Sequence, residues 1–534
     1  MMKRKIMLNI LILLIIIISQ SACEMLGKQD RYPLIKAAQD DDIIKAKESF
    51  KEIVDINYVN EKHEFALLEA SLNSNLKMVQ LLVNNGADVN LSNQLGMTAM
   101  MAAASKGKED VASFLIDHGA DLSLTNKDGF SALHIAIIED DKSLVQLLIN
   151  NNAPVNNSGE EDVFPLSLAV QNENKDVVKI LIENGADIDR KDVRGRTALH
   201  MAAKKASHDL VMMLIENRAD IHLKDETGED GFLILAGANY STIMNNIYDR
   251  VEKLMNEAPE EKSDIKDTQI KYNLAILFPM LENINPEYCS DSKMDKYLEI
   301  LKNSTLSISI PEKSFDLVVE QLEADYFLIA KVFLDNGVDA NTQDKESQSA
   351  IMKICSQRNS AATIFSDKSI PVKPDVEQRF NEAFNTAENI HMELMQLLID
   401  SGADINLTDR NGQTALMFAC ENGHFEYAKI LVENGAAVNR SNSDGWTPLI
   451  DAVSAEYFHI SELLISNGAN INLTNTFGET ALLKAVYRNN ELLVRLLLKN
   501  GANIGIKNSH GDSPLSVAQK KGYSKIIKML ELHQ

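Results

Sequence analysis

The sequence has few of the residues that build metal sites, redox sites or large aromatic clusters. It contains 4 cysteines, 1 tryptophan and 11 prolines in 534 residues, and aromatic residues make up 6% of it. No cysteines have zinc-finger or redox spacing, and no phosphate-binding glycine loop or zinc-protease His/Glu pair occurs. We therefore expect no cofactor, no metal and no small-molecule substrate, and we do not predict an enzyme.

A long basic stretch is also missing. The formal net charge is −24, with 53 lysines and arginines against 77 aspartates and glutamates. Such a charge repels nucleic acid and anionic lipid surfaces. We therefore expect no nucleic-acid partner, and a protein partner that is steered by charge should be basic.

An apolar run near the N-terminus predicts an export signal. Residues 6–18 follow the basic cluster at 3–5 and are uncharged; they are too few for the ~20-residue helix that spans a bilayer but have the length of a signal-peptide core. Residues 19–23 (SQSAC) resemble a bacterial lipobox, although Gln20 stands where an aliphatic residue is usual. The resemblance implies that residues 1–22 are a lipoprotein signal peptide and that Cys23 carries acyl chains such as palmitate.

Two alternatives to lipidation remain open, namely ordinary secretion with cleavage after Ala22 and a retained signal anchor. If Cys23 is acylated, each buried methylene contributes about 0.8 kcal/mol to membrane binding. Glu24, rather than aspartate, follows the cysteine, and by the simple sorting rule this favours the outer over the inner membrane. The expected location is the bacterial cell envelope, facing the periplasm or the surface.

One pattern recurs along the rest of the chain, and one residue separates each copy from a preceding glycine. Its copies are TAMMAAA at 98–104, SALHIAI at 131–137, TALHMAA at 197–203, TALMFAC at 414–420, TPLIDAV at 447–453, TALLKAV at 480–486 and SPLSVAQ at 513–519. A second signature follows later in each unit, as in NNGADVN at 84–90 and ENGADID at 183–189. Both recur with a period of about 33 residues, and together they resemble the ankyrin repeat.

The residue types in these signatures have direct structural reasons. Threonine or serine caps the N-terminus of a helix, proline suits the first helical position, as at Pro448, and the glycine of the second signature suits the left-handed end of a helix. The predicted fold class is all-α, an ankyrin-repeat solenoid of stacked helix pairs with β-turn tips, about 14 units with two insertions.

The register predicts unit boundaries and places the insertions. Residues 276–308 and 309–341 are interpreted as degenerate repeats, and a second insertion, of roughly 32 residues when measured against the ankyrin period, falls near 356–385. The predicted segments are 1–22 signal peptide, 23–57 tether and degenerate N-terminal capping repeat, 58–222 ankyrin repeats, 223–341 degenerate and interrupted repeats with an insertion, 342–406 ankyrin repeat with the second insertion, 407–505 ankyrin repeats and 506–534 C-terminal capping repeat.

The resemblance implies that a protein partner binds to the turn tips and to the exposed face of each first helix. The candidate binding residues at these register positions are Arg194, Arg196, Arg410, Gln413, Phe418, Trp446, Asp451, Phe477, Lys484 and Tyr487. Tryptophan and tyrosine are enriched in interface hot spots. The alternative is that the large residues after the tip glycines simply pack on the adjacent tip.

The remaining histidines and cysteines of interest are interpreted as structural. His134 and His200 hold the fourth position of the motif, where the family's histidine bonds to loop backbone. Cys355 and Cys420 hold one register position in neighbouring units, and a layer spacing of ~8–10 Å exceeds the ~7 Å limit for disulfide Cα atoms. Both are therefore predicted to be small core residues.

These observations favour a membrane-tethered scaffold that binds another protein in the bacterial envelope. An exported effector or immunity-type inhibitor that acts by protein binding is the alternative. A more remote alternative is an enzyme with its site in the 232–308 insertion, which offers only scattered acidic residues and one cysteine, Cys289.

Overall fold

The computed structural model describes residues 33–51, 55–73, 75–159, 162–238, 242–243, 246, 250, 312–357 and 374–533, without the side chains of 312–320 and 374–384. The predicted signal peptide, Cys23, Cys289 and the predicted repeat at 276–308 lie outside these residues. The described chain contains no helix that is both long and apolar enough to span a membrane. It divides into two compact units, residues 1–193 and 194–534.

The first unit consists of five helix pairs among its described residues. The helices are α1 Pro33–Gln39, α2 Ile43–Ser49, α3 Ala66–Leu72, α4 Leu76–Asn84, α5 Ala99–Ser105, α6 Glu109–Asp117, α7 Ala132–Ile138, α8 Lys142–Asn150, α9 Pro165–Gln171 and α10 Lys175–Glu183. The first helix of each pair packs on the first helix of the next pair, and from α4 onward the second helices do the same.

The second unit has seven helix pairs among its described residues, and they stack in the same way. The helices are α11 Ala198–Lys204, α12 His208–Glu216, α13 Gly231–Ala236, α14 Glu312–Asp335, α15 Ala350–Cys355, α16 Pro374–Asp400, α17 Ala415–Asn422, α18 Phe425–Glu433, α19 Pro448–Ser454, α20 Phe458–Ser466, α21 Ala481–Tyr487, α22 Glu491–Lys499, α23 Pro514–Lys521 and α24 Ser524–Glu531. The predicted all-α solenoid of stacked helix pairs is thus confirmed.

The first helices are short and closely packed because of their caps and small residues. Thr447 caps α19, and its Oγ1 accepts a hydrogen bond of 3.3 Å from the Ile450 amide. Pro448 occupies the first helical position, where its missing N–H leaves nothing unsatisfied. Ala452 is fully buried, so a small side chain lets the neighbouring first helices approach.

The turn tips that precede the first helices are joined to one another by backbone hydrogen bonds. The Asn442 Oδ1 atom accepts hydrogen bonds from the amides of Asp444 and Trp446 and thereby shapes one tip. The next tip is hydrogen-bonded to this one, because the Thr476 amide donates to the Asp444 carbonyl at 2.9 Å. This pairing fixes the position of each tip relative to its neighbours.

The asparagine that closes the second signature joins consecutive repeats. Asn439 donates from Nδ2 to the Gly468 carbonyl at 3.0 Å and accepts from the Asn470 amide at 2.6 Å. A single side chain therefore satisfies one donor and one acceptor of the next repeat. This contact gives a physical reason for the last residue of the GADVN signature.

The middle of the chain differs from the predicted register. Helix α14 pairs with α13, and α13 packs directly on α15; the Lys345 amide donates to the Thr227 carbonyl at 2.9 Å, so the tips of these two repeats are adjacent. Among the described residues of 223–341, α14 at 312–335 therefore completes the repeat that α13 begins, where the register predicts a separate degenerate repeat at 309–341. The described residues contain twelve pairs, and the predicted count of about 14 is not confirmed.

The second insertion is also arranged differently from the prediction. Helix α16 begins at Pro374 and extends to Asp400, whereas the register predicts the second helix of this repeat from Asn389. The repeat signature could not predict these extra turns, since it specifies only the part of a second helix that packs within the stack.

Candidate functional site

The candidate site of the second unit is built from two register positions of each repeat. The first is the last tip residue before the helix cap, here called the tip-end position: Arg196, Glu229, Gln348, Gln413, Trp446, Glu479 and Asp512. The second is the fourth residue of the first helix, here called the floor position: Met201, Ile234, Lys353, Phe418, Asp451, Lys484 and Val517. Side chains at the two positions contact each other, as the lysines demonstrate.

Lys484 occupies the floor position and is held by two neighbours. Its Nζ lies 2.6 Å from the Glu479 carboxylate, and both side chains are largely buried. The same Nζ lies 4.7 Å from the centre of the Trp446 ring in the preceding tip, which adds a cation–π interaction. The positive charge is therefore compensated within the protein.

Lys353 occupies the floor position of an earlier repeat and is compensated in a similar way. Its Nζ contacts the carboxylate of Glu229 in the preceding tip and lies 2.7 Å from that of Asp344. Burial lowers the pKa of Lys353, but the hydrogen bonds and charges of the two carboxylates outweigh this, so that its pKa is raised overall. This ion triad was not predicted, although the sequence separation of Lys353 and Phe418, about two ankyrin periods, could have indicated its register position.

Asp451 occupies the floor position between Phe418 and Lys484, and its carboxyl group is not compensated. The residue as a whole is half-buried, but its Oδ2 atom is buried, and no hydrogen-bond partner within the described chain reaches that atom. Burial and the carboxylate of Glu421 together raise the pKa of Asp451 well above its usual range. The predicted candidate is thus a carboxyl group in an environment that disfavours its ionised form.

The aromatic candidates divide into exposed and buried side chains. Phe477 at a turn tip is 54% exposed, whereas Phe418 at the floor position is only 9% exposed. The prediction that Phe418 lies on the exposed face is therefore wrong, because its apolar ring is buried on α17, which packs between the neighbouring first helices α15 and α19. Trp446 is half-buried, which fits packing on the next repeat as well as partial accessibility.

Tyr487, at the end of α21, is engaged with the last repeat. Its hydroxyl accepts a hydrogen bond of 2.9 Å from Asn508 Nδ2, and Lys521 Nζ lies 5.7 Å from the ring centre. Burial, together with the charges of Glu479 and Asp512, raises the pKa of Tyr487. These contacts hold the ring in place at the edge of the site.

The polar candidates lie along the tips. Arg410 Nη1 is 3.1 Å from the carboxylate of Glu346 on the preceding tip, and both side chains are exposed. Gln413 is half-buried at the tip-end position. Arg194 and Arg196 line a cleft of about 380 Å³ at the beginning of the second unit, together with Glu229 and Ile234 of the next repeat. None of the C-terminal candidates lines this cleft.

The histidines of the repeat motif differ in their contacts. Both His134 and His200 accept a hydrogen bond of 3.1 Å at Nδ1 from the amide of the residue that caps their helix. His200 Nε2 also lies 3.1 Å from the Glu229 carbonyl, which confirms the expected bond to loop backbone. His134 Nε2 makes no hydrogen bond of ordinary geometry among the described residues.

The cysteines of the described chain are structural. Cys355 and Cys420 are buried and unbridged, and burial raises the pKa of both thiols, so neither is a reactive thiolate. Within the ranges that the structure describes, no three His, Cys, Asp or Glu side chains are grouped so that they could hold a metal ion.

Comparison with known proteins identifies the family. Four overlapping segments, residues 67–159, 133–225, 383–475 and 458–533, match the family model for ankyrin repeats in three copies. The matches cover more than half of the chain, and the chain therefore belongs to the ankyrin-repeat family. Members of this family are protein-binding scaffolds.

The comparisons with individual proteins are more limited. No curated protein matches the chain. Among solved structures, the chain is similar to the ankyrin repeat domain of Bcl-3, a unique member of the IkappaB protein family, at 26% sequence identity. The match covers 38% of this chain and 92% of that one, with a TM-score of 0.36.

Proposed function

We propose that the chain is a membrane-tethered ankyrin-repeat scaffold that binds another protein in the bacterial envelope. Membership of the ankyrin family supports protein binding, and catalysis is not part of the proposal. The C-terminal repeats, with their tips and floor positions, form the contact face.

One observation carries the choice of this face. Phe477, a large aromatic side chain, is more than half exposed at a turn tip, and its tip is hydrogen-bonded to the tip that carries the half-buried Trp446. Exposed aromatic side chains on a rigid support bury a large apolar area on binding at little entropic cost. A partner that covers these two tips would also reach the floor position between them.

The contact face can be tested by site-specific photo-crosslinking in living cells. A benzophenone amino acid in place of Phe477 should give a discrete adduct with an envelope protein. The matched control is the same substitution at Leu492 in α22, which is 65% exposed but lies on a second helix. Equal adducts from both positions, or none from position 477, would contradict the proposed face.

The loss of affinity supplies a second measurement. Truncation of a hot-spot aromatic costs about 2 kcal/mol or more, so Phe477→Ala should weaken capture of the crosslinked partner by more than tenfold. Leu492→Ala should leave capture unchanged. Circular dichroism of both variants separates a loss of binding from a loss of folding.

The tether rests on the lipobox-like sequence that ends at Cys23. Metabolic labelling with an alkyne fatty acid should mark the wild-type chain and not the Cys23→Ala variant. An unlabelled wild-type chain would overturn the tether and favour the exported effector or immunity-type inhibitor.

A further inference from the structure

The floor position carries a charge in three repeats of the second unit and an apolar side chain in the others. Charges at a buried position cost several kcal/mol unless they are paired. Lys353 meets Glu229 and Asp344, and Lys484 meets Glu479. Asp451 is the third ionisable side chain at this position, and its ionised carboxyl group also needs a partner.

The residues that could pair with Asp451 by register do not supply a cation. In the other two repeats the compensating group lies at the tip-end position of the same repeat or of the preceding one. For Asp451 these positions hold Trp446 and Gln413. The nearest floor cation, Lys484, is already bound to Glu479 at 2.6 Å.

The neighbours of Asp451 oppose its negative charge. Glu421, at the end of the preceding first helix α17, acts on it through repulsion, and Cys420 beside Glu421 is a buried neutral thiol on which the Asp451 charge acts in turn. No cation of the described chain favours the ionised carboxyl. A positive group brought by a ligand to the accessible side of this half-buried residue would offset the repulsion.

We propose that Asp451 is the anchor for a lysine or arginine side chain of the protein partner. This inference rests on the proposed function, since it requires a protein bound across the C-terminal tips. The net charge of −24 attracts a basic partner, and Trp446 and Phe477 at the adjoining tips cover the aliphatic part of a long basic side chain. Because Asp451 as a whole is half-buried, the cation of the partner reaches the carboxyl group from its accessible side and compensates its charge.

Stability of the free chain gives the first test. In the full chain without partner, Asp451→Leu should raise the midpoint of urea unfolding, because it replaces an unpaired buried carboxyl by a side chain that is apolar like Leu168 at the same register position. The matched control is Glu462→Leu on the exposed surface of α20 in the same repeat, which should not raise it. A lower midpoint for Asp451→Leu would show that the carboxyl is paired within the chain and would overturn the proposal.

Binding gives the second test, with a phage-displayed library of random peptides as the probe. Peptides selected on the full chain should share a lysine or arginine. Replacement of that residue by neutral glutamine or citrulline, or Asp451→Asn in the protein, should each weaken binding at least tenfold. Both changes together should cost no more than either alone, because they remove one interaction; Glu462→Gln should bind as the wild type does.

The outcomes distinguish failure of the Asp451 anchor from failure of the proposed scaffold function. Selected peptides without a basic residue, or peptides that bind wild type and Asp451→Asn equally, overturn the anchor and leave the proposed scaffold function in place. No enriched peptide at all overturns both.

Discussion

Three charged side chains occupy the floor position in the second unit, and what lies beside each of them sets its contribution to stability. Lys353 and Lys484 have carboxylate partners within hydrogen-bond distance, whereas Asp451 has a repelling carboxylate. Removal of one partner from a buried ion pair is strongly destabilising because it leaves an uncompensated charge. Removal of a buried charge that has no partner instead raises the stability of the folded chain.

This contrast predicts that Lys353→Met lowers stability. The substitution keeps most of the apolar stem but leaves the carboxylates of Glu229 and Asp344 facing each other, and we expect a loss of about 3 kcal/mol in the free energy of unfolding. Urea denaturation measures it. The exposed Lys507→Met is the control and should change stability by less than ~0.5 kcal/mol; a similar small loss for Lys353→Met would mean that the triad contributes little.

At the residue scale, the sequence could predict the positions of the site residues but not their side-chain contacts. The repeat register correctly predicted that Trp446 and Lys484 lie at the tip and on the first helix, because the constant spacing of the repeats determines position. It could not predict that Phe418 is buried, nor that Lys484 contacts Glu479 and Trp446, because side-chain contacts between repeats depend on which residues occupy neighbouring positions.

At the scale of elements, the turn tips carry the regularity of the stack. Gly445 adopts φ +76°, and a Cβ atom there would lie 2.9 Å from the Asn475 Cα of the next tip. Gly468, at the end of α20 in the same repeat, adopts φ +86° but has open space around a Cβ. Both glycines therefore adopt the left-handed backbone conformation, but only Gly445 has the backbone of the next tip close to it.

A matched pair of substitutions separates these effects. Gly468→Ala should cost about 1–2 kcal/mol from the left-handed backbone alone. Gly445→Ala should cost more than this, because the tips must also move apart and weaken the hydrogen bond from the Thr476 amide to the Asp444 carbonyl. Urea denaturation gives both values, and hydrogen exchange at the Thr476 amide should rise only in Gly445→Ala. Equal costs would indicate that the tips tolerate separation.

The elements that could be predicted from the sequence are those with both a cap and a small-residue face. α19 and α21 are examples, with threonine at the cap and buried alanines. The bounds of the two long helices in the middle of the chain could not be predicted. α14 and α16 have 24 and 27 residues, and they carry the packing pattern of a second helix over only part of their length. Sequence separation also conceals that α13 and α15 are neighbours.

At the scale of the whole molecule, each unit is a row of repeats that contact only their neighbours, so stability is close to a sum of local terms. Both units bury a histidine at a repeat contact. Burial lowers the pKa of His134 in the first unit and of His391 in the second to about 4. Protonation of either imidazole opposes the folded state.

The arrangement around His391 explains why acid should act on the second unit. Its Nε2 lies 2.8 Å from the Ala238 carbonyl, which can only accept, so Nε2 carries the proton; Nδ1, 3.2 Å from the Tyr427 hydroxyl, is then the acceptor. A second proton would place a charge at a fully buried site near another buried imidazole, His424, which also lowers the pKa of His391.

The sign of the pH dependence follows from this depressed pKa. The contribution of His391 to stability is complete above the unfolded pKa of about 6.5 and is lost as the pH falls toward about 4, and a displacement of this size corresponds to ~3 kcal/mol. The raised pKa of Asp451 acts in the opposite direction, because its protonation in acid favours the folded state. The effect of His391 on the change of unfolding free energy with pH is therefore obtained by comparing variants. Urea unfolding of wild type and His391→Gln between pH 7 and 4 should show the steeper loss in wild type, while the exposed His510→Gln should follow the wild-type slope. Parallel slopes for wild type and His391→Gln would mean that the imidazole titrates without cost to the fold.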